Sequence, residues 1–98
     1  MIDIEMTEVF EDWFNGLRDI RAKARIDARL TVIAETGHFG DCKPIAGSKV
    51  SELRFHFGPG YRVYFMYRGD TIVLLLSGGD KDSQTRDIRK AIALSEEA

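Results

Sequence analysis

Residues 52–68 alternate apolar and polar side chains with a period of two, on either side of a Gly-Pro-Gly turn. Successive side chains of a strand point to opposite faces of its sheet, so this alternation predicts a β-hairpin. One face is apolar: Leu53, Phe55, Phe57, Tyr61, Val63, Phe65 and Tyr67. The other is mostly polar: Glu52, Arg54, His56, Arg62, Tyr64, Met66 and Arg68. Because it carries arginine, histidine and tyrosine, the second face is a candidate surface for an anionic ligand.

A further apolar run follows this hairpin and completes a predicted meander. Ile72–Leu76 is apolar throughout, which is typical of an interior strand covered on both faces. Residues 38–49 contain Gly40, Pro44 and Gly47 and are expected to form a connecting loop. The expected strands are 2–6, about 50–57, 61–68 and 71–77.

Helical signals lie on both sides of these strands. Thr7 suits the N-cap of a first helix, which Asn15-Gly16 ends, and Asp19 suits the N-cap of a second. The second helix closes at Gly37. Its apolar stripe is Ala22, Ile26, Leu30 and Ile33. A last helix is expected to begin at Asp82 or Ser83 and to pack through Ile88, Ala91 and Ile92.

The order β-α-α-β-β-β-α predicts an α+β fold: a small antiparallel meander with two N-terminal helices on one face, and a C-terminal helix. Ninety-eight residues suit one domain, spanning 1–98. The composition, 44% hydrophobic and 31% charged, is that of a globular chain. A net charge of −2 argues against a general nucleic-acid coat but leaves room for a local basic patch.

Other features limit compartment and cofactor chemistry. Cys42 is the only cysteine, so neither an internal disulfide nor a cysteine metal cluster is expected. No apolar run approaches the length of a membrane span, and no export leader precedes Val9, so a cytoplasmic protein is expected. No motif indicates a metal, a nucleotide or a redox cofactor.

Several motifs together resemble the RelE/ParE toxin superfamily, and most closely its HigB-like branch of addiction module killer proteins. They are ELR at 52–54, GPGYRVYF at 58–65, LLLSGGDK at 74–81, GDCKP at 40–44 and DIRKA at 87–91. The resemblance covers nearly the whole chain. It implies a small toxin neutralised by a cognate antitoxin, which we expect to be a helix-turn-helix protein. Many relatives cleave mRNA at the ribosome without a metal, whereas others poison DNA gyrase.

The resemblance also assigns the candidate phosphate contacts. It implies that Arg62 holds the scissile phosphate, that Arg54 acts as a phosphate clamp or base, and that Lys81 supplies another cation. Arginine suits this task because its planar fork matches phosphate oxygens. Structural alternatives remain open at each position. Arg62 could be solvated or paired with Glu52, Arg54 could form a cross-strand charge pair, and Lys81 could pair with Asp80.

Few residues are suited to act as the general acid or base. His56 is a candidate acid or base because histidine titrates near neutrality, and Tyr64 could stack on a base or donate a proton. Either could instead be an ordinary strand side chain. The C-terminal segment 82–98 has neither the tyrosine nor the histidine that related nucleases use as an acid. A gyrase inhibitor and a decayed antitoxin-binding module therefore remain alternatives. A basic stripe, Arg21, Arg25 and Arg29, is expected to be a solvated helix face.

Overall fold

The computed structural model describes all residues, Met1–Ala98, as three helices and one five-stranded sheet. The strands are β1 (Asp3–Met6), β2 (Cys42–Pro44), β3 (Ser51–Arg54), β4 (Arg62–Arg68) and β5 (Ile72–Gly79). The helices are α1 (Glu8–Asn15), α2 (Ile20–Thr36) and α3 (Gln84–Glu97). The α+β class and the antiparallel β3-β4-β5 meander agree with the sequence prediction.

The strand order is β1-β5-β4-β3-β2, with β1 parallel to β5 and every other pair antiparallel. Two strand predictions were wrong. The predicted loop 38–49 contains β2, which pairs with β3. Strand β3 ends at Arg54 rather than near residue 57, because the chain turns toward the Gly-Pro-Gly segment after that residue.

The predicted caps of α1 and α2 are present, whereas Ser83 precedes α3 without a side-chain capping hydrogen bond. The Thr7 hydroxyl accepts a hydrogen bond from the Phe10 amide (3.0 Å), and the Asp19 carboxylate accepts from the Arg21 and Ala22 amides. Helix α2 ends at Gly37, whose φ of 75° is left-handed and favours glycine. These caps fix where both N-terminal helices start and stop.

Helices α1 and α2 cover one face of the sheet, as predicted. Ten buried residues form this core: Phe10, Ile26, Leu30, Ile33, Leu53, Phe55, Val63, Phe65, Val73 and Leu75. The apolar hairpin face expected from the period-two pattern is therefore the face that packs against the N-terminal helices. Only Tyr67 departs from this pattern, with 48% of its surface exposed.

The opposite face is not the open polar surface that the alternation suggested. Helix α3 covers it through a second core: Val50, Tyr64, Met66, Leu74, Leu76 and Ala91. Ile88 and Ile92 pack against this core, as predicted. The exposed part of the polar face is thereby reduced to the end of the sheet where β3 stops and β4 begins.

Gly78 and Gly79 lie inside β5 rather than ending it, as the sequence had suggested. A side chain on Gly78 would overlap the Trp13 ring of α1, and one on Gly79 would overlap the Asp87 carboxylate of α3. The two glycines therefore let helices on opposite faces approach the strand. No helix in the structure combines the length and the apolar character needed to cross a bilayer.

Candidate functional site

The strand register brings four of the five predicted site residues to one end of the sheet. Arg54, the last residue of β3, lies directly opposite Arg62, the first of β4, and Arg62 lies opposite Gly79 of β5. Directly opposed residues of antiparallel strands project to the same face. Lys81 follows Gly79 by two residues and His56 follows Arg54 by two, so both stand at the same end.

Arg62 is a nearly buried cation with only 7% of its surface exposed. One guanidinium nitrogen donates to the carbonyls of Gly60 and Tyr61, each at 3.1 Å. Its Nε atom is buried without a partner, and no carboxylate lies within ion-pair distance. The predicted alternatives, a solvated arginine or a pair with Glu52, are therefore both wrong. Glu52 instead accepts from Gln84 of α3.

Gly60 lies next to both Arg62 and Lys81. Its φ of 77° is left-handed, and a Cβ there would lie in van der Waals contact with the Lys81 Cβ (3.4 Å) and the Arg62 guanidinium (3.6 Å). The Lys81 amide also donates to the Pro59 carbonyl at 3.4 Å. Lys81 makes no ion pair with Asp80, whose carboxylate accepts from the Asp82 and Ser83 amides just before α3. Two cations without carboxylate partners therefore lie against the same Gly-Pro-Gly turn.

Arg54 is paired, but not with a strand neighbour. Its Nε and a terminal nitrogen donate to Oδ1 of Asp41, at 3.0 and 2.7 Å. The other oxygen of Asp41 contacts Nε2 of His56. Hydrogen bonds from Arg54 and then from His56 hold the pKa of Asp41 below its usual range. One carboxylate therefore links two predicted site residues.

The basic helical stripe is not a simple solvated face. Arg29 donates to the carbonyls of Phe39 (2.9 Å), Asp41 (3.3 Å) and Arg54 (2.7 Å), so it clamps the loop to β3. The Arg25 guanidinium lies 4.5 Å from the Phe57 ring centroid, a cation–π distance. A cleft of about 330 Å³ lies here, lined by Arg25, Arg29, Phe55, His56 and Phe57.

Tyr64 lies on the predicted face but is fully buried, so no ring surface is open to a nucleobase. Its hydroxyl has no partner. Burial, and then the charges of Glu52 and Asp87, raise the pKa of Tyr64 well above its ordinary value. A phenol in this setting is a poor proton donor to an external group. Base stacking or direct acid catalysis by Tyr64 does not fit this arrangement.

The assembled site is a cationic end of the sheet with one exposed imidazole, a composition that suits an anionic ligand. It offers two cations without carboxylate partners, one paired arginine and the 68% exposed side chain of His56. Sequence reasoning missed Asp41, because the predicted loop gave no indication that it reaches β3. No cluster of three His, Cys, Asp or Glu side chains is arranged to hold a metal ion.

Residues 12–97 match the family described as "Phage derived protein Gp49-like (DUF891)". The chain belongs to this Gp49-like family. A relative of unknown function in Haemophilus influenzae is 42% identical over 96 residues, which cover 98% of this chain and 95% of the relative.

Solved structures relate this Gp49-like chain to RelE. A mutant of the E. coli RelE toxin in the free state superposes with a TM-score of 0.72 at 12% identity, over 94% of both chains. A chain of the intact E. coli RelBE toxin–antitoxin complex gives 0.67 at 14% identity, over 82% of this chain and 96% of that one. The family match and the shared fold confirm the predicted RelE/ParE superfamily resemblance.

Proposed function

We propose that this chain is the toxin of a type II toxin–antitoxin module, and that it cleaves mRNA at the ribosome without a metal. The observation that carries the proposal is Arg62, a nearly buried guanidinium without a carboxylate partner, with Arg54 and Lys81 beside it. A fixed cation in such a place can stabilise the charge that develops on a phosphorane. The proposal places the protein in the cytoplasm with its target.

The residues divide the chemistry among them. Arg62 and Lys81 hold the scissile phosphate, because both are free of carboxylates. Arg54 contributes a further positive charge at the rim, weakened by Asp41. His56 is the one exposed imidazole at this end of the sheet and exchanges the proton. Tyr64 is buried in the core under α3 and does not touch RNA.

The proposal includes a cognate antitoxin, expected to be a helix-turn-helix protein. RelE of similar fold occurs in a toxin–antitoxin complex. In this chain the edge strands β1 and β2 leave backbone groups open for strand addition. Several large apolar side chains are also exposed: Ile20 (80%), Tyr67 (48%), Val32 (47%) and Met6 (45%). Such a partner would cover them.

A second candidate is a gyrase inhibitor that performs no RNA chemistry. The observation that favours it is the C-terminal segment 82–98, which contains no tyrosine or histidine to serve as an acid. The unpaired Arg62 and Lys81 count against it, because an inhibitor that binds a protein surface has no need of an unpaired buried arginine.

The test is induced expression of wild type and Arg62→Gln, with growth curves and primer-extension mapping of translated messages. We expect arrest with cuts in phase with codons, reduced at least about 100-fold in the variant. Arg68→Gln is the matched control, because Arg68 lies at the other end of β4 and pairs with Glu5. Circular dichroism checks that both variants fold. Arrest with intact messages would favour gyrase, and undisturbed growth a decayed binding module.

A further inference from the structure

Asp41 divides its two oxygens between two site residues. Oδ1 accepts from Arg54, and Oδ2 contacts Nε2 of His56. Hydrogen bonds to the charged form keep the carboxylate ionised at neutral pH, as its lowered pKa indicates. An ionised carboxylate can only accept hydrogen bonds, so Nε2 must carry the hydrogen. The neutral ring then presents an unprotonated Nδ1.

The position of Asp41 is fixed from several directions. The Arg54 amide donates to the Asp41 carbonyl at 3.0 Å, and Arg29 of α2 donates to the carbonyls of both residues. The other charged groups near the imidazole are Arg25 and Arg29, which line the adjacent cleft, and Arg54. A clamped carboxylate can hold an imidazole in one orientation far better than a mobile one.

We infer that Asp41 is a positioning residue that fixes His56 as the Nε2–H tautomer, so that Nδ1 takes the 2′-hydroxyl proton. This inference rests on the proposed function. In the step, the 2′-oxygen bonds to phosphorus while its proton goes to Nδ1. The bond from phosphorus to the 5′-oxygen breaks, and the departing oxygen takes a proton from water. No metal or cofactor enters the balance.

Asp41→Asn tests the tautomer directly in the free protein. Arg54 can only donate, so it retains the asparagine carbonyl, and the asparagine amide must then donate to Nε2. The His56 proton should move to Nδ1, the opposite tautomer. Long-range proton–nitrogen NMR at alkaline pH should report Nε2–H in the wild type and Nδ1–H in the variant. Asp70→Asn, an exposed turn residue at the far end of β4, should leave His56 unchanged. An identical tautomer in all three proteins would overturn the inference.

Single-turnover cleavage on programmed ribosomes tests whether the tautomer matters for chemistry. Asp41→Asn should lower the maximal rate by about 10²–10⁴-fold with little change in half-saturation, because a general base contributes that much. In a His56→Ala background, Asp41→Asn should have no further effect. An equal loss in both backgrounds would mean that Asp41 acts without His56. A faster variant would mean that Asp41 merely masks Arg54. Either result overturns the inference.

Failure of the proposed function would look different. Wild type and all variants would then leave the message intact on the ribosome, while the NMR difference between wild type and Asp41→Asn persisted. That outcome removes the RNA reaction, and with it the proton transfer to Nδ1, but retains Asp41 as the residue that sets the His56 tautomer.

Discussion

The two faces of the sheet differ in how many polar groups they bury. Under α1 and α2 lie ten buried apolar residues, and none of the buried polar residues belongs to that core. Under α3 lie six buried apolar residues. The α3 side also holds the buried polar groups Glu52, Arg62, Ser77 and Asp87. Three of its polar atoms are buried without partners: Arg62 Nε, Tyr64 Oη and Ser77 Oγ. One face therefore supplies stability, and the other gives up part of its packing to hold the site.

The largest test of this contrast is Phe10→Ala. Phe10 is fully buried in the α1–α2 core and stacks on Phe14. Truncation of a buried phenylalanine costs about 3–5 kcal/mol, a large share of the stability of a domain this size. Urea unfolding should show the loss. Leu94 in α3 is only half-buried, so Leu94→Ala should lower the free energy of unfolding clearly less. A loss as large as that of Phe10→Ala would contradict the contrast between the two faces.

The consecutive glycines of β5 test the two faces at adjacent positions. Gly78→Ala pushes a methyl group into the Trp13 ring, which packs against the α1–α2 core, so we expect a loss of about 1–3 kcal/mol. Gly79→Ala meets the end of the Asp87 side chain and, less closely, the Ser83 hydroxyl (3.1 Å). That carboxylate can swing away at the cost of its hydrogen bond with Ser83, about 1 kcal/mol. Thermal unfolding of both variants shows which loses more stability. A larger loss in Gly79→Ala than in Gly78→Ala would contradict this account.

A smaller effect is expected on the stability of the fold at acid pH. The pKa of Asp41 is lower in the folded chain than in the unfolded one, so the group stabilises the fold above about pH 4. That stabilisation disappears as pH falls through the folded pKa. The stability difference between wild type and Asp41→Asn should therefore shrink between pH 6 and pH 3 in urea titrations. Because the Asp41 side chain is 32% exposed, 1 M salt should also reduce the stability difference between wild type and Asp41→Asn. A difference independent of pH would contradict the prediction.

Local patterns were sufficient for most of the fold. The alternation of residues 52–68 assigned the side chains of β3 and β4 to their faces, and Thr7, Asp19 and Gly37 marked helix ends through short-range hydrogen bonds and backbone conformation. Strand β2 could not be predicted in this way. It has three residues, one of them Pro44, and it exists only because it pairs with β3.

The cations of the site could be predicted from the sequence, but their hydrogen-bond partners and the burial of the site could not. Arg54, Arg62 and Lys81 were identified from the family resemblance, and the strand register brings them together. Asp41 was missed because its contacts to Arg54 and His56 span 13 and 15 residues. The burial of Tyr64 was missed for a related reason. Alternation identifies the face of a sheet, but only the docking of α3 decides whether that face meets solvent.

The smallest expected effect is that of Tyr64→Phe. The hydroxyl of Tyr64 is buried without a partner, so its removal abolishes no hydrogen bond and lifts a desolvation cost. We expect the free energy of unfolding to change by less than about 1 kcal/mol, toward higher stability. RNA cleavage should be retained, because the buried Tyr64 hydroxyl has no part in the proposed reaction. Urea unfolding and the ribosome assay check the two halves of this prediction. A large loss of cleavage in a stable Tyr64→Phe protein would mean that the hydroxyl reaches the reaction, and that the α3 face opens when RNA binds.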